Sequence, residues 1–345
     1  MKIAVIGLGD IAVKAYLPVL TQRDGIELVF CTRNEQRLKQ LANTHRITEF
    51  CTDYKMLISH QSTNGKRGID AVMIHSATSS HYEIAQFFLS HGIPVFVDKP
   101  LSDSYQECEA LYEIAEQQKQ PLFMGFNRRY IPLYNTYLDG VQRHDSEQSS
   151  LSPKPLLMSL RWEKNRHNLP GDIRTFVFDD FIHPLDSINV ATNVTADDLH
   201  LVTQFDANQL ARLDVQWQKD QTIFHASMNR TFGVTKEKVS ANYRNTSYEF
   251  DSFVSGTKWE GGNEQRIYLP DWTPMLTSKG FTDMIEHWIS VIEQGKQDSY
   301  LIDRNLKTHY LCDHICQKHR YLHRLSKKRT GYLPHRVYLI HGVGI

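Results

Sequence analysis

The sequence predicts an α/β domain on a doubly wound parallel sheet, followed by an α+β domain whose mostly antiparallel sheet carries helices on one face. Three observations predict it. Up to Gly125, short uncharged runs alternate with amphipathic segments, the rhythm of a parallel sheet with crossover helices. Past Tyr130 the rhythm changes to period-two runs joined by short turns, as in an antiparallel sheet with one covered face. The opening, MKIAVIGLGDIAVKAYLPVL, sets two glycines between a strand pattern and a helix pattern, the context of a dinucleotide-binding turn.

Ile3-Ala4-Val5-Ile6 has no charge and favours branched side chains, so it reads as a strand buried on both faces. Ile11, Ala12 and Ala15 give Asp10–Tyr16 helical spacing. The alternation continues through Glu27–Cys31, Asn34–Asn43, Ala71–His75, Ser80–His91, Val95–Asp98, Ser102–Gln118 and Pro121–Gly125, interrupted by a polar surface loop over Ser59–Gly68. A Ser- and Pro-containing stretch, His144–Pro155, precedes the strand patterns Leu157–Trp162, Leu199–Phe205, Leu210–Trp217, Thr222–Arg230 and Lys236–Tyr243. Helical patterns at Gly280–Glu293 and Arg304–Leu325 close the second core. The expected domains are residues 1–128 and 129–325. A tail, 326–345, is either an edge strand, a contact with a neighbouring subunit or a loosely held end.

At 345 residues the chain is long enough for two cores. Its 39 Lys and Arg balance 39 Asp and Glu, which leaves no overall field to attract nucleic acid or an anionic membrane. No stretch approaches the roughly 20 apolar residues of a membrane span, and the start lacks a signal-peptide pattern, so a cytoplasmic protein is expected. Five scattered cysteines argue against a disulfide framework. Cys312 and Cys316 flank His314, but no second ligand pair accompanies them, so they read as one face of a helix and no metal is expected. No internal repeat is visible.

Gly7-Leu8-Gly9-Asp10-Ile11-Ala12 fits G-x-G-x-x-A. In that pattern Gly7 permits the tight turn, Gly9 lets backbone N–H groups approach a pyrophosphate, Ala12 fills the close-packing slot, and the helix N-terminus favours negative charge. An NAD site places an acid at the end of the second strand to hold the ribose hydroxyls. Here that strand ends Phe30-Cys31-Thr32-Arg33-Asn34, with no acid, and Thr32 and Arg33 suit the 2′-phosphate of NADP(H); NAD(H) is the second choice. The lesser alternative is that Arg33 merely opens a surface helix. Ser76, Ala77, Thr78 and His81 complete the expected cofactor set. Lys99, after the buried-type run Val95-Phe96-Val97, lies where ligands bind outside the carboxyl ends of strands, and Pro100 stiffens its turn.

The glycine turn, Asp98-Lys99-Pro100 in the place of a Glu-Lys-Pro signature, and Gly125-Phe126-Asn127-Arg128-Arg129 together resemble the Gfo/Idh/MocA oxidoreductases, and most nearly their MviM-like branch, up to about Leu325. The resemblance implies a Rossmann domain, a mostly antiparallel α+β domain, and NAD(P)-dependent oxidation or reduction of sugars, polyols and related compounds. It adds Asp98, Lys99, Asn127 and Arg128 to the cofactor side and implies a catalytic aspartate four residues before a histidine, matched by Asp179 and His183. On a helix, positions i and i+4 share a face, so the Asp179 carboxylate would hold the His183 imidazole in one tautomer. His183 would then take the substrate hydroxyl proton while Lys99 hydrogen-bonds the oxygen.

Two departures stand out. Asp98 is one methylene shorter than the usual Glu, and Pro184 disfavours helical dihedrals at His183 outside a first turn. Arg128, Arg161, Lys164 and Arg166 are candidates for an anionic group of a small-molecule substrate. A non-catalytic sensor of NADP(H) or a sugar is the alternative function, and an assembly protein a third. Leu210–Trp217 places apolar residues in both alternation sets, and the family pairs subunits through this sheet, so a homodimer is expected. A tail strand at Val337–Ile340 covering that surface within one chain is the alternative.

Overall fold

The computed structural model describes residues 1–59, 68–138, 156–190, 194–329 and 338–339. Most of the polar insert, the His144–Pro155 stretch and most of the tail lie outside them. The chain forms two compact units, Met1–Asn127 with Gly280–Ile302, and Arg128–Lys279 with Asp303–Ile345.

In the first unit, β1 (Lys2–Ile6), β2 (Glu27–Cys31), β3 (Glu49–Cys51), β4 (Ala71–Ile74), β5 (Val95–Asp98) and β6 (Leu122–Gly125) form an all-parallel sheet in the order β3-β2-β1-β4-β5-β6. The order reverses direction beside β1, the switch point where α/β sheets bind ligands. Ile3 to Ile6, Ala71 to Ile74 and Val95 to Val97 are buried, as uncharged runs covered on both faces must be. Asn34 caps helix Glu35–His45 by accepting the Arg37 N–H at 3.0 Å. Helices His81–Ser90 and Tyr105–Gln118 pack on each other and on β4 to β6. Helix Phe281–Gln294 also belongs here, although its place in sequence suggests the second domain. Phe281 meets Tyr16 edge-on, and Trp288 lies against Phe96 and Phe123. Nothing in its own residues names that partner.

In the second unit, β7 (Leu157–Asn165), β8 (His200–Asp206), β9 (Gln209–Lys219), β10 (Thr222–Asn229), β11 (Lys236–Tyr243), β12 (Thr246–Phe250), β13 (Ser255–Glu260), β14 (Asn263–Tyr268) and β15 (Tyr338–Leu339) form one sheet, ordered β14-β13-β12-β11-β7-β10-β9-β8-β15. β7 and β10 run parallel; the other neighbours are antiparallel. Helix Ile182–Ile188 covers β7 and β10. β12 to β14 escape a hydropathy reading because β14 is almost wholly exposed.

The expectation of apolar residues in both sets of β9 is corrected. Ala211, Leu213, Val215 and Trp217 are buried, whereas Arg212, Asp214 and Gln216 occupy the other face. Leu210 breaks the alternation because it pairs with Gly171 where the strand begins. The outer face is charged: Asp214 accepts from Arg212 at 2.6 Å and contacts His225 Nε2 at 3.1 Å, and Arg161 pairs with Glu163 at 2.7 Å.

Candidate active site

β1 ends on Gly7, whose φ of +88° disfavours any side chain; a Cβ there would lie 2.5 Å from the Ser76 nitrogen and 2.7 Å from the His75 carbonyl carbon. The turn is tied by Gly7 N–H donating to Cys31 O at 2.9 Å and His75 N–H donating to Ile6 O at 2.7 Å. At Gly9 an added Cβ would meet nothing within 4 Å. Space beside its backbone is therefore open, as the close approach of a pyrophosphate requires. Leu8 and Ala12 are buried, Ile11 is exposed, and Asp10 pairs with Lys14 at 2.7 Å. Arg37, which the sequence reading passed over, donates from Nε to the Leu8 carbonyl at 2.5 Å and so brings a guanidinium to the turn.

The helix after the turn is not regular. Ala12–Tyr16 is π-helical before Leu17–Leu20 resumes the α form. Tyr16 is buried and its hydroxyl donates to Asp98 Oδ1 at 2.9 Å. Gly125 makes room for this pair, since a Cβ there would lie 2.8 Å from the Tyr16 oxygen and 3.1 Å from Asp98 Oδ1. Burial lifts the Asp98 carboxyl above its ordinary range, against the pull of Lys99, Tyr16 and His81. Lys99 is half-buried, and its peptide to Pro100 is cis.

His81 is buried, its Nδ1 2.8 Å from Pro100 O and its Nε2 3.0 Å from Ser76 O, so the ring ties together the turns after β4 and β5. Ser76 and Ser80 share a 2.7 Å hydrogen bond around Ala77 and Thr78. Thr32 is half-buried and donates its N–H to Cys51 O at 3.3 Å; Arg33 is exposed and Asn127 buried. His75 lies 4.0 Å from Tyr16, ring to ring, with neither nitrogen hydrogen-bonded within the protein, and burial lowers its pKa to about 3. An open backbone approach at Gly9 and orphaned ring nitrogens behind Gly7 fit a bound dinucleotide.

In the second unit, Thr175–Phe181 is π-helical and passes into the α-helix Ile182–Ile188. Pro184 sits in the first turn of the α-helix, where proline is tolerated. It has no N–H for the carbonyl of Asp180, and Lys164 Nζ donates to that carbonyl at 3.3 Å instead. Asp179 lies in the π turn, whose repeat is longer, and His183 in the α-helix that follows it. Asp179 is exposed; Asp180 is the carboxylate turned inward, bound by Lys164, by Arg166 at 3.1 Å and by Arg230 at 3.2 Å. Lys164 and Arg166, expected to meet an anionic substrate group, thus have a counter-ion of the protein's own. Burial, with Arg128 and Arg166, pushes Lys164 down to about 7 against the pull of Asp180. Arg161, the remaining candidate, is exposed and paired with Glu163.

His183 is buried, and its Nε2 lies 3.4 Å from Nη1 of Arg128. A guanidinium only donates, so this contact assigns the lone pair of a neutral ring to Nε2. Arg128 is in turn held by Glu237, which also accepts from Trp162 Nε1 at 3.1 Å. One turn beyond His183, Asp186 accepts from Arg129 at 2.6 and 2.9 Å and from Thr308 at 2.9 Å, while Arg304 donates to its carbonyl at 2.7 Å. Burial alone would raise the Asp186 carboxyl, but Arg129 and Arg304 hold it below its ordinary range. Ser187 Oγ donates to His183 O at 2.8 Å. The sequence offers no signal for the Asp186 pairs, whose members stand 57 to 122 residues apart.

Residues 1–126 match the family described as an oxidoreductase family with an NAD-binding Rossmann fold, GFO_IDH_MocA. A crystal structure of a Gfo/Idh/MocA family oxidoreductase from Vibrio cholerae is 53% identical, with a TM-score of 0.86 over 94% of this chain and 99% of that one. The chain belongs to the Gfo/Idh/MocA family of oxidoreductases. A dehydrogenase, MviM, from Clostridium difficile is 26% identical with a TM-score of 0.79, covering 92% of this chain and 99% of that one. A scyllo-inositol 2-dehydrogenase (NAD(+)) of Bacillus subtilis is 31% identical over 149 residues, 42% of this chain and 40% of that protein. Among the described residues of this Gfo/Idh/MocA protein, no helix is long and apolar enough to cross a membrane, and no group of three or more His, Cys, Asp or Glu side chains is placed to hold a metal ion.

Proposed function

We propose that this oxidoreductase transfers hydride between NADP(H) and a CH–OH carbon of a sugar, polyol or related hydroxy compound. The observation that carries the reading is the turn at Gly7 and Gly9, closed by protein behind the first glycine and open beside the second. The bound nicotinamide supplies the hydride acceptor or donor. Gly7 to Ala12 hold the pyrophosphate. Thr32 and Arg33, with no acid at the end of β2, favour a 2′-phosphate; NAD(H) is the second cofactor. Ser76, Ala77, Thr78, Asp98, Asn127 and Arg128 are assigned to the cofactor, and His81 positions the turns after β4 and β5.

Lys99 is assigned to the substrate oxygen, whose negative charge it stabilises as it develops. His183 receives the hydroxyl proton on Nε2 when the substrate hydroxyl takes the place of the Arg128 N–H there, and Glu237 holds the Arg128 guanidinium. Asp179, the exposed carboxylate of its run, completes the set. The polyol class is supported by the partial likeness to an inositol dehydrogenase. Met1–Asn127 with Gly280–Ile302 serve as the dinucleotide-binding unit, and Arg128–Lys279 with Asp303–Ile345 as the substrate unit.

The test is a screen of sugars and polyols, scyllo-inositol among them, with NADPH, NADP+ and the NAD pair, read by the absorbance of the reduced nicotinamide. Lys99→Ala and His183→Ala are expected to lower kcat by about 10²-fold or more with little change in KM. A fully active His183→Ala enzyme refutes its role. Binding of NADPH without turnover of any substrate favours the sensor.

A further inference from the structure

We propose that Cys31 and Cys51 are a peroxide-sensitive dithiol, which closes to a disulfide across β2 and β3 and weakens dinucleotide binding. The two are register partners on adjacent parallel strands. Neighbouring strands lie about 4.8 Å apart with partners facing the same side, inside the roughly 4.4–6.8 Å Cα separation that a disulfide spans. Each thiol is the largest influence on the other, which pushes Cys31 up and Cys51 down, and Cys51 Sγ donates to the Asp53 carbonyl at 3.3 Å. Cys31 is buried, whereas Cys51 is half-buried on the edge strand β3, within reach of a small oxidant. A lowered, accessible thiol beside a second thiol is the arrangement of a redox sensor and its resolving partner.

In the reaction the Cys51 thiolate attacks one oxygen of hydrogen peroxide. The O–O bond breaks, releasing hydroxide and leaving a sulfenic acid. The Cys31 sulfur then loses its proton and displaces the sulfenic hydroxyl as water, forming the Sγ–Sγ bond. Two thiols and one peroxide give one disulfide and two waters.

The effect on binding follows from what shares this backbone, and rests on the cofactor reading above. The Cys31 carbonyl holds the Gly7 N–H, the Cys51 carbonyl holds the Thr32 N–H, and Arg33 comes next. Drawing the Cβ atoms to the roughly 3.8 Å of a disulfide moves the ends of both strands beneath these residues.

The test treats the full chain with hydrogen peroxide, then counts thiols after unfolding and maps the peptides. Two of the five cysteines are expected to lose their thiols, with Cys31 and Cys51 in one cross-linked peptide lighter by two hydrogens and restored by dithiothreitol. Five surviving thiols, a bridge between two chains, or Cys51 oxidised beyond the sulfenic acid with Cys31 still a thiol would overturn the proposal. NADPH affinity, read by fluorescence, should fall about tenfold on oxidation, an ordinary coupling between sites, and return on reduction. Cys51→Ser and Cys51→Ala should bind NADPH and ignore peroxide. Unchanged affinity with the disulfide present overturns the coupling. Failure of the reduced protein to bind either dinucleotide strikes the cofactor reading instead, and the thiol count still decides the disulfide.

Discussion

Around Gly7 the structure is set by backbone, whereas around Asp186 a buried charge is met by side chains. The first region takes its shape from a glycine with φ +88°, a strand end and the backbone of Ser76, and its open side lies at Gly9. The second holds a buried carboxylate with two arginines and a threonine brought from distant parts of the chain. Backbone amides need no counter-ion and no desolvation of a full charge, so a few residues of local sequence suffice. A buried ion cluster must be complete, because each missing partner leaves a charge uncompensated.

The largest expected effect therefore lies in the second region. Asp186→Asn leaves Arg129 and Arg304 buried without their carboxylate and should cost about 3–5 kcal/mol of unfolding free energy in urea, the usual result of breaking a buried pair. The cluster also sets the acid limit. Asp186, Asp180 and Glu237 are held below their ordinary range, against burial, by the basic groups facing them. The stability they confer is complete above the unfolded carboxyl values, near pH 4, and is lost as pH falls through the lower folded values. Asp186→Asn should flatten that fall, and an unchanged acid limb would contradict the account.

At the glycine turn a pair of substitutions separates fold from binding. Gly7→Ala meets both a positive φ and protein backbone, and should lose about 1–3 kcal/mol together with dinucleotide binding. Gly9→Ala meets no protein atom and should unfold within about 0.5 kcal/mol of the parent, yet bind NADPH poorly. Equal binding by Gly9→Ala and the parent would remove Gly9 from the pyrophosphate site.

Arg33→Ala is a smaller change. It should weaken NADPH by about tenfold, the loss of one charge-assisted phosphate contact, and leave NADH almost unaffected. Equal affinity of the parent for the two cofactors would sink the preference. The smallest expectation concerns assembly. A dimer through the charged outer face of the second sheet should dissociate as salt screens the pairs, and a monomer mass by light scattering at low salt would overturn it.

Where structure is carried by neighbours in sequence, it was legible. The strand, the two glycines and the acid-free end of β2 lie within Met1–Asn34, and Lys99 follows its strand directly. The π turns at Ala12–Tyr16 and Thr175–Phe181 were not legible, because an extra residue per turn leaves the apolar spacing close to helical while changing which carboxylate turns inward. The sequence by itself determined the parallel sheet, its dinucleotide turn and the family pattern, since these depend on backbone freedom and short-range periodicity. Only the tertiary structure decided that Asp180 rather than Asp179 is buried, that Lys164 and Arg166 carry their own counter-ion, and that helix Phe281–Gln294 packs beside Phe96. Each of those outcomes depends on contacts between groups far apart in the chain, and a charge or an aromatic face does not announce in sequence which distant partner will satisfy it.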